Sequence, residues 1–380
     1  MKIIAAFDSF KGSLTAEEAV KAVGEGIQDV RPDAEVVCLP LADGGEGTTR
    51  ALMRYGRWTV AECAAHDPLM RPVKTTYAVS DDRKTAIIET AEAAGLTLLS
   101  PEERHPTLTT TYGVGEMISD AAKHGCRRII VGLGGSATCD AGMGMLAALG
   151  VRFLDARQRP LEPVGASLAS ICSIDWSGQE VLCDAEIIAA CDVDNPLFGP
   201  DGAAFVFAPQ KGATPDEVAL LDDGLRHFAA VQDRLTNEAT EAKSLGAAGG
   251  LAFGLALIGA TMRSGAELML DAASIDLHLA QADLTLTGEG SIDRQTLCGK
   301  LPFAVMSRAK AHGVPTIALA GRVADHHLLV NAGFADVLSI NPPKISLEEA
   351  MRKETAVANL KRAASALLKQ KSYARFTGHA

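Results

Sequence analysis

Aromatic residues are scarce in this chain, at 4% of 380 residues. That argues against a protein that stacks nucleic-acid bases, and the 36 glycines favour an α/β protein rich in tight turns over a β-sandwich. Positive charge is in deficit too: the formal net charge of −11 excludes a general nucleic-acid partner. It leaves room for a small anionic substrate, because a local pocket can be positive on an acidic protein. Paired cysteines are missing. The eight present, Cys38, Cys63, Cys126, Cys139, Cys172, Cys183, Cys191 and Cys298, form no Cys-x-x-Cys pair and no cluster with zinc-ligand spacing. Free thiols in a reducing compartment, the cytoplasm, are therefore expected. The apolar run from Met1 to Phe7 is too short for a secretory signal. One stretch imitates a membrane span. Leu245 to Met262 is apolar and Gly-rich, contains Gly250-x-x-x-Gly254 and is flanked by Lys243 and Arg263. It stands alone without a Trp/Tyr belt, so a buried helix of a globular domain is expected, and no membrane partner.

What is present is an α/β rhythm. Apolar residues make up 47% and charged residues 22%, as in a protein with a full core, and the length suits two domains. Strands are expected at 3–7, 36–39, 58–64, 73–79, 85–89, 128–131, 151–154, 186–191, 284–286, 316–319 and 337–340. The Asp81-Asp82 turn predicts an antiparallel hairpin between the strands at 73–79 and 85–89. Helices are expected at 15–28, 45–55, 111–124, 140–149, 302–312 and 346–368, with another opened by Thr214-Pro215-Asp216-Glu217. The C-terminal βα units resemble the N-terminal pair in kind. The first and last segments are thus expected to share one sheet, with the middle of the chain inserted as a second domain.

The unusual residues cluster in turns that follow short apolar strands. These are Asp8-Ser9-Phe10-Lys11-Gly12-Ser13, Ala42-Asp43-Gly44-Gly45-Glu46-Gly47-Thr48, Asp192-Val193-Asp194-Asn195-Pro196, Pro209-Gln210-Lys211-Gly212 and Thr287-Gly288-Glu289-Gly290-Ser291-Ile292-Asp293. The densest run follows Arg128-Ile129-Ile130-Val131. It reads Gly132-Leu133-Gly134-Gly135-Ser136-Ala137-Thr138-Cys139-Asp140 and leads into a helix. A strand, a Gly/Ser/Thr turn and a helix start can aim backbone N–H groups at a phosphate. The same turn also serves as a plain tight connection, and short acids beside glycine also serve as turn residues and caps.

Phosphoryl transfer gives these turns one purpose. It needs N–H donors around phosphates, carboxylates for Mg²⁺, cations against the developing charge, and an acceptor for the attacking hydroxyl's proton. No Walker A sequence, Gly-x-x-x-x-Gly-Lys-Ser/Thr, occurs, which excludes a P-loop kinase at the motif level. The alternative is an NAD-dependent dehydrogenase of a small 2-hydroxy acid. Gly132-x-Gly134-x-x-Ala137 fits the relaxed dinucleotide fingerprint, with Asp155 as its acid. That reading leaves the other acid–glycine turns without a role.

In this order, the turns resemble the glycerate kinase family, the type that makes 2-phosphoglycerate. The matching segments are 7–13, 40–48, 132–144, 192–197, 209–213, 246–250 and 287–293, and the likeness runs from Met1 to about Leu360. The resemblance implies an ATP- and Mg²⁺-dependent kinase of D-glycerate. It implies two α/β domains, one Rossmann-like with a parallel sheet from both chain ends (1–64 and 275–380) and one inserted (65–274), with the active site in the cleft between them. Two departures stand out: Cys139 replaces a usual Asn, and Ser291 a usual Arg. On this basis Gly134, Gly135, Ser136, Thr138, Gly44 and Gly45 are expected to hold the nucleotide. Ser9, Lys11, Lys211 and Asp293 are expected at the substrate, with Lys11 also assisting transfer. Asp192 is expected as the base, and Asp43 and Glu289 as Mg²⁺ ligands. Nothing in the residues fixes an oligomeric state.

Overall fold

The computed structural model describes residues 1–41, 52–179, 185–240 and 242–369. The backbone divides into two units, one formed by Met1–Asp43 with Ala266–Ala380, the other by Gly44–Gly265.

The first unit opens with β1 (Lys2–Phe7), helix α1 (Ala16–Gln28) and β2 (Glu35–Pro40). Thr15 starts α1 because its hydroxyl accepts the Glu18 N–H while Glu18 Oε2 accepts the Thr15 N–H at 3.1 Å. The second unit then contributes β3 (Trp58–His66), β4 (Pro72–Ser80), β5 (Thr85–Glu89), helix α2 (Tyr112–Lys123), β6 (Arg128–Gly132) and helix α3 (Met143–Ala148). It continues with β7 (Arg152–Leu154), β8 (Ser173–Asp175), β9 (Glu186–Ala190), helix α4 (Pro215–Val231), helix α5 (Ala247–Leu257) and β10 (Thr261–Arg263). The first unit resumes as β11 (Leu284–Gly288), β12 (Ser291–Ile292), helix α6 (Leu301–Ala311), β13 (Thr316–Ala320), β14 (Arg322–Val323), β15 (Asp336–Ser339) and helix α7 (Lys353–Lys369).

The main sheet of the first unit is parallel throughout, in the order β15-β13-β11-β1-β2. Residues Ile3 to Phe7 are completely buried, as a strand covered on both faces requires. Residues of α1 and α7 pack on Ile3, Ala5, Phe7, Leu286 and Leu319, while Met306 of α6 packs on Ala318 and Ala320 of the opposite face. Counted within the unit, this is the doubly wound order 2-1-3-4-5, which reverses direction between β1 and β11. The parallel sheet from both chain ends, expected from the sequence, is therefore what forms.

The second unit carries a sheet in the order β10-β9-β6-β5-β4-β3. Its β10, β9, β6 and β5 are parallel neighbours, whereas β4 pairs antiparallel with both β5 and β3. The hairpin at Asp81-Asp82 is present. Because the ladder bonds of β3 go to β4, β3 lies in the second unit, and the boundary expected at 64/65 falls at Asp43/Gly44. The return point falls at Gly265/Ala266 instead of 274/275. Arg308 of α6 explains this: it bonds Asp276 at 2.6 Å and Asp271 at 3.1 Å and pairs with Glu267, tying that stretch to the first unit.

Three further expectations change in detail. The apolar stretch 245–262 holds the buried helix α5, left-handed within its first turn at Ala248, Gly249 and Gly250 (φ 53°, 68° and 85°), and then runs into β10. Among the described residues no helix is long and apolar enough to cross a membrane. The helix expected at 346–368 is two helices, a turn at Leu347–Ala350 capped by Ser346 and then α7. The helix expected at 45–55 lies mostly outside the described residues; in its described part, Met53–Tyr55 form a single 3₁₀ turn.

Candidate active site

In the second unit the glycine-rich run emerges from the carboxyl end of β6, between β5 and β9. It is a long loop, not a strand running straight into a helix, for α3 begins only at Met143 after left-handed Ala141 and Gly142. The loop is pinned at intervals. Leu133 N–H bonds Ala190 O, Ala137 N–H bonds Ala94 O, and Ala141 N–H bonds Gly249 O. Between these pins, the N–H groups of Gly134, Gly135 and Ser136 meet no acceptor among the described residues. Gly135 is exposed with φ 69°. Three consecutive unpaired amides around a left-handed glycine form a concavity for an anion.

The helix end itself is not available for that purpose. Asp140 is fully buried, and its Oδ2 accepts from Thr111 N–H and Thr111 Oγ1 at 2.8 Å each and from Gly144 N–H at 3.0 Å. Its Oδ1 accepts from Gly142 N–H at 3.2 Å. One internal carboxylate thus satisfies the starts of α2 and α3, and burial pushes it up against the pull of those four donors. The expected anion site at the positive end of a helix is corrected accordingly: the loop's leading edge carries the donors, and α3 is already capped.

Lys211 lies beneath that edge, 3% exposed. Its ammonium donates to Ser136 Oγ at 2.8 Å and to Thr138 O at 2.7 Å. Burial pushes Lys211 down to about 8, while the Cys139 thiol and Asp140 nearby pull the other way. Lys211, expected at the substrate, is buried here, and its bonds go into the loop. Thr138, expected at the nucleotide, is likewise 0% exposed; Lys211 holds its carbonyl, while its hydroxyl meets no partner among the described residues. Behind it Gly249 packs so closely that a Cβ there would sit 2.0 Å from Thr138 O.

The loop after β9 holds Asp192 in the open. Its Oδ1 accepts from Ser264 Oγ at 2.7 Å and Gly265 N–H at 2.9 Å, at the end of neighbouring β10. Asp194 pairs with Lys243 at 3.2 Å on the surface. Asn195 ties the loop to α5, its carbonyl accepting the Gly246 N–H.

In the first unit, the expected residues collect where the strand order reverses. Asp8 N–H bonds Gly288 O at 3.0 Å, and a Cβ on Gly290 would lie 3.6 Å from the Lys11 backbone nitrogen. The structure thus brings Asp8, Ser9 and Lys11, after β1, beside Glu289 and Gly290, after β11. Glu289 is largely buried and accepts from Thr296 Oγ1 at 3.2 Å. Asp293 accepts the Gln295 N–H at 2.8 Å as a cap of the following turn. Asp43, Gly44 and Gly45 lie outside the described residues.

Sequence reasoning missed Asp140 and Ser264. Asp140 carried a signal, an acid just before a glycine-rich helix start, but its Thr111 partner is distant in sequence. Ser264 carried none. The dinucleotide reading also loses its acid. Asp155 pairs with Arg159 at 2.7 Å and follows β7, which belongs to a separate ribbon with β8 and not to the sheet of β6.

Comparison with known proteins follows the same lines. The profile described as "Glycerate kinase family" matches residues 3–371. The chain is 42% identical over 354 residues to glycerate kinase of Bacillus subtilis (strain 168), covering 92% of this chain and 93% of that one. It is 40% identical over 360 residues to glycerate 2-kinase of Escherichia coli (strain K12), covering 93% of each. A crystal structure from Salmonella typhimurium LT2, provisionally described as glycerate kinase 2, superposes with a TM-score of 0.82 at 39% identity and covers 99% of both chains.

Proposed function

Because the chain belongs to the glycerate kinase family, we propose that it transfers the γ-phosphoryl group of ATP to the C2 hydroxyl of D-glycerate, giving 2-phosphoglycerate and ADP. The observation that carries this reading is the row of amides at Gly134, Gly135 and Ser136, unpaired among the described residues, beside the buried Lys211 cation. Such a cradle suits the phosphates of a nucleotide. Asp192 would take the proton of the attacking hydroxyl, from a carboxylate already oriented by Ser264 and Gly265. On the first unit, Lys11 would bind the glycerate carboxylate or the migrating phosphoryl group, with Ser9 and Asp293 around the substrate.

Among the described residues no group of three His, Cys, Asp or Glu side chains could hold a metal. Mg²⁺ is commonly held by one or two carboxylates together with substrate phosphates and waters. Glu289 and Asp43 would be those carboxylates. When bound, Mg²⁺ would neutralise charge on the phosphate oxygens. The reading places the enzyme in the cytoplasm, in keeping with free Cys63, Cys126 and Cys139.

Purified protein given D-glycerate, ATP and Mg²⁺ tests this directly. ADP release must depend on glycerate, and the product must yield phosphoenolpyruvate with enolase alone. A need for added phosphoglycerate mutase would identify the 3-phosphate and reject the C2 assignment. No glycerate-dependent ADP would reject the function.

A further inference from the structure

An ammonium group only donates hydrogen bonds. Two of those of Lys211 go to Ser136 Oγ and Thr138 O. A hydroxyl oxygen that accepts from an ammonium must give its own proton elsewhere, and no acceptor for the Ser136 proton exists among the described residues. Ser136 is 6% exposed, next to exposed Gly135, so that proton lies at the loop's open edge.

We propose that Lys211 is a positioning residue that fixes Ser136 as an obligate hydrogen-bond donor to an anionic ligand oxygen, whether phosphate or carboxylate. The proposal rests on the kinase reading only for the choice of ligands. The strut is firmly built. Gly212 holds a left-handed φ of 97°, and a Cβ there would lie 2.0 Å from Arg104 O. The Lys211 N–H bonds Ala208 O at 3.0 Å. Thr138 O is then held between the ammonium on one side and Gly249 on the other.

Loss of the lysine proton reverses the arrangement. A neutral amine has a lone pair and can accept the Ser136 proton, which then no longer points to the ligand. With Lys211 pushed down to about 8 by burial, the reversal falls within ordinary assay conditions. The titratable groups facing it are the Cys139 thiol, pushed up to about 12 by burial, and the Asp140 carboxyl, engaged by four donors. Arg104 lies behind Gly212.

The test is isothermal titration of MgATP and of D-glycerate, separately, into wild type, Ser136→Ala and Lys211→Arg across the alkaline range at constant ionic strength. Wild-type affinity for one ligand should fall roughly ten-fold or more as the lysine deprotonates, the scale of a charge-assisted hydrogen bond. Ser136→Ala should start weak and stay flat. Lys211→Arg, which keeps its charge throughout this range, should lose the pH dependence from whatever affinity it starts with. The ligand showing the fall identifies the anion. A flat wild-type profile for both ligands, or a fall that survives in Ser136→Ala, overturns the proposal. An alkaline fall in binding without glycerate phosphorylation would strike the kinase reading alone.

Discussion

Asp192 is the residue on which the chemistry turns in the proposed reaction. Its carboxylate is exposed and oriented by two donors from the end of β10, so Asp192→Asn keeps the shape while removing the base. Steady-state assays should show kcat falling roughly 100-fold or more with an intact fold by circular dichroism. Near-normal turnover would remove Asp192 from that role. Lys211 makes a separate prediction about stability. Its pKa is lowered by burial from 10.5 to about 8. Between those values the unfolded chain carries a proton that the native chain has shed. Native stability relative to Lys211→Met should therefore rise with pH across that window, at roughly 1.4 kcal/mol per unit. Urea titrations near both ends of the window check the sign; a difference that falls or stays level contradicts it.

At the scale of elements, the left-handed turn at the start of α5 supports the loop after β6. Gly249→Ala would force a Cβ to 2.0 Å from Thr138 O at a φ of 68°. The expected cost is about 1–3 kcal/mol in thermal or denaturant unfolding, together with weaker nucleotide binding, because Thr138 is the anchor that Lys211 also grips. Unchanged nucleotide affinity would separate α5 from the loop. This coupling also marks the limit of what the sequence reveals. The loops after β1, β6, β9 and β11 were legible because short apolar strands followed by glycine and acid leave little else to read. The burial of Lys211 was not, since its partners Ser136 and Thr138 are far away along the chain and a lone lysine in a turn normally faces water. The same holds for Asp140, whose partner Thr111 lies 29 residues earlier, at the start of another helix. The capping box of α1 was readable because Thr15 and Glu18 act within a single turn.

For the whole molecule, continuity separates the two units. Gly44–Gly265 is one uninterrupted stretch whose sheet pairs only its own strands, β3 to β6, β9 and β10. A fragment spanning it should fold alone and melt cooperatively in calorimetry. The segment Ala266–Ala380 alone should not, because β11 would lack β1 along one edge. A fragment 44–265 without a cooperative transition would show that the stretch depends on the rest of the chain.

The same pairing has a consequence for biosynthesis. Ile3 is a partner of Leu284, and Phe7 of Gly288. On the ribosome, the first strand made must wait for one of the later ones while the entire intervening stretch is translated. During that interval only β2 is there to pair with it, and its edge toward β11 stays open. Nascent chains stalled before β11 should therefore bind holding chaperones through their N-terminus, and release them once the missing neighbour emerges.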